Sequence, residues 1–217
     1  MKSDELIKKA YSAFLNKKGF PCVAAKAALS RRHIQCMVAM HMGCPAQDKI
    51  ILQFLYSFVD KYRASEDSYH SAAVIFREPL VMDEKIFDSL MWQRLNSLNS
   101  LDKQTYSHDR RVDSDPSSSH FSFSLKEEAF FILGLHSGSS RRSRQFEYPA
   151  LIFNPHAEFE KLRMSNRYAK MKEVVRKRDV EYSGSINPML ADFGEASEVY
   201  QYSGMKYNAG WICPLLH

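Results

Sequence analysis

Apolar residues recur every three or four positions in three segments of the first half of the chain, and this spacing predicts amphipathic helices. The first helix is capped by Ser3 and ends at Gly19, the second follows Pro45, and the third begins near Asp83. One face of each helix is expected to be core. The residues of the three faces are Leu6, Ala10, Tyr11, Phe14 and Leu15; Ile50, Ile51, Phe54, Leu55, Phe58, Val59 and Tyr62; and Ile86, Phe87, Leu90, Met91, Leu95 and Leu98.

Four shorter segments have the continuous or alternating apolar pattern of β-strands. They are "AAVIFREP" (72–79), "HFSFSL" (120–125), "AFFILGLH" (129–136) and "YPALIFN" (148–154), and the last two are expected to lie centrally in a sheet. A further amphipathic helix is predicted after His156. The pattern as a whole predicts an α+β fold in which helices pack on a small, mainly antiparallel sheet.

A single domain over residues 1–217 is expected, because the length and the ordinary composition suit one hydrophobic core. Residues 101–119 are polar throughout and are predicted to form a mobile excursion within that domain. A second polar segment, "SGSSRRSRQFE" (137–147), lies between two predicted strands and is a Gly/Ser loop with three arginines.

The charge, the hydropathy and the cysteines of the sequence indicate which partners and which cellular compartment to expect. The formal net charge is +5 and the basic residues are spread among acids, so no nucleic-acid partner is expected. No segment has the roughly 20 apolar residues of a membrane helix and the N-terminus lacks a signal-peptide pattern, so a cytoplasmic protein with no membrane partner is predicted. Four cysteines without C-x-x-C spacing predict free thiols.

Common catalytic motifs are absent from the sequence. It contains no G-x-x-x-x-G-K loop, no G-x-S-x-G elbow and no H-E-x-x-H, which disfavours nucleotide hydrolases, α/β-hydrolases and zinc proteases. Two of the eight histidines stand out, because His136 and His156 each end an apolar run that predicts a strand. In "ALIFNPH" (150–156) the strand, the Asn154–Pro155 turn and the following helix would hold the imidazole from both sides.

Four segments, in this order, resemble the YqcI/YcgG family of small bacterial proteins. They are "FPCVAAKAAL" (20–29), "FSFSLKEEAFFILGLHSGSSRRSRQF" (121–146), "PALIFNPHAEFEKLR" (149–163) and "GSINPMLADFGEASEVYQYSG" (184–204). The chain departs from the family pattern in two places. Glu127 and Glu128 stand where glycines are expected, and Met205 follows "YSG" where arginine is expected.

The resemblance implies a haem-dependent monooxygenase, since the family includes enzymes that hydroxylate a guanidine nitrogen, with arginine as the known substrate class. It implies haem b held by one protein histidine, with O2 activated on the opposite face of the haem and electrons supplied by an unidentified reductant. The expected substrate is a small guanidino or amine compound. A homodimer is left open.

Given this expectation, His156 is the first candidate for the iron ligand and His136 is the alternative, followed by a thiolate from Cys22 or Cys213. The haem propionates require cationic partners, which the Gly/Ser loop offers as Arg141, Arg142 and Arg144. A cationic guanidine conversely requires carboxylates, and the irregular tail offers Asp192, Glu195 and Glu198.

Each of these assignments has a structural alternative. His156 could cap a helix or lie at the edge of the core, the arginines could belong to a solvated loop, and the acids could lie on a helix surface. Two other functions also stay open. A haem sensor or carrier would keep the ligand and the arginines without catalysis, whereas a non-haem interaction protein of the same fold would purify colourless even after haem supplementation.

Overall fold

A computed structural model of the protein describes residues 2–80, 82–164, 168–208 and 210–216. Short 3₁₀ turns lie at Pro45–Gln47 and Arg142–Arg144. The helices and strands follow in this order along the chain: α1 (Asp4–Leu15), α2 (Val23–Ser30), β1 (Ile34–His41), α3 (Asp48–Arg63), β2 (Ser71–Glu78), α4 (Glu84–Asp102), β3 (Phe123–Leu125), β4 (Glu128–Leu135), β5 (Ala150–Pro155), α5 (His156–Met164), α6 (Tyr168–Ser183) and α7 (Val199–Tyr202).

The five strands form one sheet in the order β1-β2-β5-β4-β3, and the fold is α+β as predicted. The prediction of a mainly antiparallel sheet is wrong, because the sheet is mixed and β1 runs parallel to β2. The remaining pairs, β2–β5, β5–β4 and β4–β3, are antiparallel. The parallel pair arises because β1, which the pattern did not reveal, is joined to β2 through helix α3, and parallel neighbours require such a crossover.

The two faces of the sheet bury separate apolar clusters. Along β5, Leu151 and Phe153 belong to the cluster that contains residues of α3 and α4, whereas Ala150 and Ile152 belong to the cluster that contains residues of α1. Successive side chains of a strand point to opposite faces, so the continuous apolar run of β5 serves both clusters. β5 is the middle strand and β4 is its neighbour, which confirms the central placement predicted for these two runs.

Helices α1, α3 and α4 form where the apolar spacing predicts them, with small rotations of the buried face, although α1 ends at Leu15 rather than at Gly19. Asp83 caps α4 by accepting a 2.8 Å hydrogen bond from the backbone N–H of Ile86. One predicted core residue of each helix is exposed, namely Leu6, Ile50 and Ile86, at 53%, 53% and 49%. The residues that follow them, Ile7, Ile51 and Phe87, are buried at 0%, 1% and 0%. The helix predicted after His156 is described as α5 and α6 on either side of positions 165–167, which lie outside the described residues.

The polar segment around 101–119 contains the end of α4 and then turns without a regular helix or strand. Asp109 anchors it, since this buried carboxylate pairs with Arg111 and accepts a 2.9 Å hydrogen bond from the backbone N–H of Ala129. The segment is therefore attached to the start of β4, and its mobility stays a prediction. Within the described part of the chain, no helix combines the length and the apolar composition needed to cross a bilayer.

Candidate functional site

His156 is the first residue of helix α5 and directly follows Pro155, the last residue of β5. Burial of β5 on both faces fixes the end of the strand, and the imidazole is itself buried at 5% exposure. Phe193, from the irregular tail, covers the imidazole at 4.4 Å between ring centroids. The fold therefore places His156 at the end of a buried strand, as the sequence predicts.

Two carboxylates face the two ring nitrogens of His156. Nδ1 lies 3.4 Å from Oε1 of Glu198, whose side chain is 7% exposed, and Nε2 lies 3.3 Å from Oε1 of Glu160, whose side chain is 40% exposed. Glu198 is held in place because its Oε2 accepts a 2.9 Å hydrogen bond from the Ser122 hydroxyl and lies 3.4 Å from the Tyr202 hydroxyl. The carboxylate that faces Nδ1 is thus buried and held by hydrogen bonds. The carboxylate that faces Nε2 belongs to a partly exposed side chain at the surface.

His136, the alternative ligand, lies at the end of β4 in a different environment. It is 1% exposed and stacks on Phe87 at 4.3 Å between ring centroids, and neither ring nitrogen makes a hydrogen bond to any described residue. Burial lowers the pKa of His136 to about 4, with a smaller lowering from the nearby Arg144. His136 is therefore a neutral imidazole at physiological pH, as ligation requires, but no carboxylate among the described residues hydrogen-bonds to it to orient the ring.

The three arginines of the Gly/Ser loop lie in three different settings. Arg144 is buried and donates hydrogen bonds to the carbonyl oxygens of Gln201 and Tyr202 at 2.7 and 2.8 Å and to that of Gly134 at 3.3 Å. Arg141 pairs with Asp179 of α6, and the exposed Arg142 stacks over the ring of Tyr182 at 4.8 Å. Of the three guanidinium groups, only that of Arg142 is exposed to solvent.

Arg144 reaches its three carbonyls because the chain has a glycine at position 204. A Cβ there would lie 2.7 Å from Cδ of Arg144, and Gly204 has a φ of +86°, which favours glycine. Burial lowers the pKa of Arg144 to about 10, so the guanidinium stays protonated at neutral pH. The glycine of the "YSG" segment, which is part of the family resemblance, therefore leaves space for the side chain of Arg144.

The three acids predicted to bind substrate do not form one cluster. Asp192 pairs with Lys172 at 2.5 Å and lies 3.9 Å from Arg176, both on α6. Glu195 is exposed and accepts a 2.9 Å hydrogen bond from the backbone N–H of Asp192. Glu198 is buried against His156. The structure thus brings one predicted substrate acid together with the predicted iron ligand.

The cysteines considered as thiolate ligands lie on opposite faces of the sheet. Cys22 caps α2 by accepting a 3.4 Å hydrogen bond from the backbone N–H of Ala25 and packs against the α1 cluster, whereas Cys213 packs against the α4 cluster. Burial raises the pKa of both thiols, that of Cys213 to about 11. Both are therefore protonated at neutral pH in the absence of a metal.

Several residues around His156 were not identified from the sequence. Glu160 is the one with a local signal, since it lies four positions after His156 on the same helix. Arg163 pairs with Glu160 and lies 5.5 Å over the ring of Phe193, which brings a cation close to the imidazole. Ser122 orients Glu198 from 76 positions away in sequence, which no spacing rule could have found, whereas Tyr202 lies four positions after Glu198.

A sequence model of the YqcI/YcgG family matches residues 11–216. The chain is 29% identical over 183 residues to the uncharacterized protein YqcI of Bacillus subtilis (strain 168), covering 81% of this chain and 71% of that protein. It is 26% identical over 184 residues to the uncharacterized protein YcgG of the same organism, with the same coverage of 81% and 71%. No solved structure matches the chain.

Proposed function

The chain belongs to the YqcI/YcgG family, and from that membership and the surroundings of His156 we propose that it is a haem-dependent monooxygenase that hydroxylates a guanidine or related amine nitrogen. The observation that carries the proposal is the buried imidazole of His156 at the tip of β5, with Nδ1 facing the buried carboxylate of Glu198 at 3.4 Å. Histidines that ligate metals commonly have such a carboxylate behind the second ring nitrogen.

The donor set at His156 fits an axial iron ligand. A histidine that ligates haem donates the lone pair of one ring nitrogen to the iron. The N–H of its other ring nitrogen donates a hydrogen bond to an acceptor, which orients the ring. Glu198 is close enough to Nδ1 to accept its proton after a small rotation, and this would fix the tautomer with the lone pair on Nε2. Glu160 faces Nε2, but its side chain is 40% exposed and already paired with Arg163, so it can turn towards solvent.

When bound, haem b would supply the activation of O2, with electrons from a separate reductant. The chain's own part is to hold and shield the ligand. Ser122 and Tyr202 hold Glu198, Glu198 orients the ring of His156 from the Nδ1 side, and Phe193 covers the imidazole.

Cationic partners for the propionates and an acid for the substrate complete the proposal. Arg142 is the loop arginine whose guanidinium is exposed, and Arg163 is the cation next to Glu160 and Phe193. Glu195 is the exposed acid of the tail, and no cation among the described residues pairs with it. We assign propionate binding to Arg163 and guanidinium binding to Glu195. Arg142 follows the end of β4 that is remote from His156, since Phe130 pairs with Pro155 and Leu135 with Ala150.

The test is reconstitution with haemin followed by absorption spectroscopy after desalting. We expect about one haem per chain with a Soret band, and H156A should lose the band or shift it because the axial bond is gone. Added imidazole should partly restore the wild-type spectrum of H156A. The matched control is H136A, which removes another buried histidine at a strand end and should keep the wild-type spectrum.

Three results would overturn the assignment. No Soret band in the wild-type protein would remove haem from the proposal. A wild-type spectrum in H156A together with a changed spectrum in H136A would make His136 the ligand. Unchanged spectra in both variants would direct attention to the cysteines. Oxygen-dependent turnover of a guanidino compound by haem-loaded protein tests the reaction itself.

A haem-binding sensor or carrier without catalysis is the second candidate. It is favoured because two of the three acids expected to bind substrate are engaged within the protein, Asp192 by Lys172 and Glu198 by its place against His156. Haem binding without turnover of any guanidino compound, under conditions that reduce the haem, would select this second candidate.

A further inference from the structure

Both tryptophans of the chain lie in one row of aromatic rings beside helix α4. Trp211 is partly exposed and stacks on Tyr207 at 3.8 Å and 23°, and it lies 5.9 Å from the buried Trp92. Trp92 lies 6.0 Å from the buried Tyr202, whose hydroxyl is 3.4 Å from Glu198. Oxidisable rings therefore extend without a gap from the surface to the carboxylate that faces His156.

A buried carboxylate lies within this row. Asp88 is 8% exposed, accepts a 3.0 Å hydrogen bond from Nε1 of Trp92, and accepts a second hydrogen bond from the hydroxyl of Tyr207. The Ser203 hydroxyl lies 2.8 Å from that of Tyr207. Burial raises the pKa of Asp88, so this carboxylate has a greater affinity for protons than an exposed aspartate.

We propose that Tyr207, Trp211, Trp92 and Tyr202 form a one-electron relay that carries oxidising equivalents from the His156 site to the surface, with Asp88 as the proton acceptor of Tyr207. Tyrosine and tryptophan are aromatic side chains that readily give up one electron, and a tyrosine that does so must also release its phenolic proton. Tyr207 has such an acceptor, since its hydroxyl donates a hydrogen bond to the Asp88 carboxylate.

The step is balanced within the protein once an oxidant is present. Tyr207 gives one electron to the radical cation of Trp211 and its proton to the Asp88 carboxylate, which leaves a neutral tyrosyl radical, a restored tryptophan and a carboxylic acid. In the working protein the oxidant would be the haem after reaction with peroxide or O2 when no substrate consumes it, so the biological role rests on the proposed function. A one-electron reductant in solution would then reduce the tyrosyl radical, and Asp88 would return the proton to Tyr207.

Pulse radiolysis of the haem-free protein tests the relay directly. Azide radicals oxidise tryptophan in preference to tyrosine, and both tryptophans of the chain belong to the relay. We expect the tryptophanyl absorption to decay as the tyrosyl absorption rises, at a first-order rate that does not change with protein concentration. Loss of the proton acceptor in D88N should slow the conversion by about tenfold or more.

The matched pair of variants is Y207F and Y200F. Tyr200 also contacts Trp211, at 5.2 Å, but no described carboxylate accepts a hydrogen bond from its hydroxyl. Y207F should abolish the fast conversion and Y200F should leave it unchanged. No conversion in the wild-type protein, a rate proportional to protein concentration, or equal rates in Y207F and wild type would each overturn the proposal. If Y207F does not fold, its circular dichroism will show this, and D88N then decides.

A second measurement connects the relay to the haem. Haem-loaded protein mixed with hydrogen peroxide and frozen rapidly should give an electron paramagnetic resonance signal that narrows when the tyrosines are ring-deuterated, and that is lost in Y207F. If haem does not bind, the proposed function fails, whereas the radiolysis result still decides whether the relay exists. If haem binds and W92F leaves the tyrosyl signal unchanged, the route through Trp92 is wrong.

Discussion

At the scale of single residues, His136 shows how burial sets the pH dependence of stability. The unfolded chain binds a proton at a pKa of about 6.5, whereas burial in the folded protein lowers the pKa to about 4. The contribution of this residue to stability is therefore complete above pH 6.5 and is lost as the pH falls towards 4. The loss amounts to roughly 3 kcal/mol over that range.

The first prediction follows from this difference. H136F keeps an aromatic ring on Phe87 and removes two nitrogens that make no hydrogen bond to any described residue, so its free energy of unfolding at pH 7 should be within about 1.5 kcal/mol of wild type. Between pH 7 and pH 5 the wild type should lose about 2 kcal/mol more than H136F. Urea unfolding at the two pH values measures both quantities, and parallel losses in the two proteins would contradict the prediction.

The second prediction concerns Arg144, whose guanidinium satisfies three backbone carbonyls. R144M should lower the free energy of unfolding by about 3 kcal/mol, because buried carbonyl oxygens lose their donors and the alkyl chain supplies none. The control is R142M, which changes an exposed arginine two positions away and should leave the thermal midpoint unchanged. An equal loss of stability in both variants would mean that the loop as a whole, rather than the buried guanidinium, is needed.

At the scale of elements, the turn between β3 and β4 shows why glycine is expected at position 127, where this chain has glutamate. Leu125 pairs with Glu128, so Lys126 and Glu127 form a two-residue loop, and their φ angles are +52° and +56°. A loop of this kind requires positive φ at both positions and favours glycine. Glu127 therefore occupies a strained position, whereas Glu128 is a buried strand residue that pairs with Arg63 and Arg111.

The third prediction is that E127G stabilises the protein. Removing the Cβ relieves a left-handed conformation that costs about 1–2 kcal/mol, and the greater freedom of glycine in the unfolded chain offsets part of this, so a gain of about 1 kcal/mol is expected. E127A is the control, since it removes the same charge but keeps the Cβ and should show no such gain. A stabilisation of equal size in E127A would assign the effect to charge rather than to backbone strain.

The same scale shows what local pattern can and cannot predict. Helices α1, α3 and α4 and strand β5 have strong apolar periodicity and were predicted, whereas β1, "IQCMVAMH", lies at the sheet edge and is partly exposed along most of its length. Without β1 the parallel pair was not foreseen. At the site, the apolar run identified His156, but Glu198 meets it only through the tertiary fold. Tyr202, a partner of Arg144, and Lys172, the partner of Asp192, likewise lie 58 and 20 positions away in sequence.

At the scale of the whole molecule, the sheet separates two apolar clusters that must fold together if residues 1–217 are one domain. Phe14 of α1 belongs to one cluster and lies 5.3 Å from the rings of Phe20 and Phe146, whereas Phe58 of α3 belongs to the other. The alternating side chains of β5 join the two clusters. Both tryptophans lie on the Phe58 side, so their fluorescence reports on one face of the sheet only.

The fourth prediction is that a cavity in the cluster without tryptophan lowers the urea midpoint of unfolding that is measured by tryptophan fluorescence. F14A removes a side chain that is 4% exposed and should lower the free energy of unfolding by about 3–5 kcal/mol. In a single cooperative unit, urea unfolding of F14A followed by tryptophan fluorescence and by far-ultraviolet circular dichroism gives one shifted midpoint in both signals. F58A, on the tryptophan side, should behave in the same way. A fluorescence midpoint that stays at the wild-type value in F14A, with an earlier transition in circular dichroism, would mean that α1 and its cluster unfold separately from the rest of the sheet.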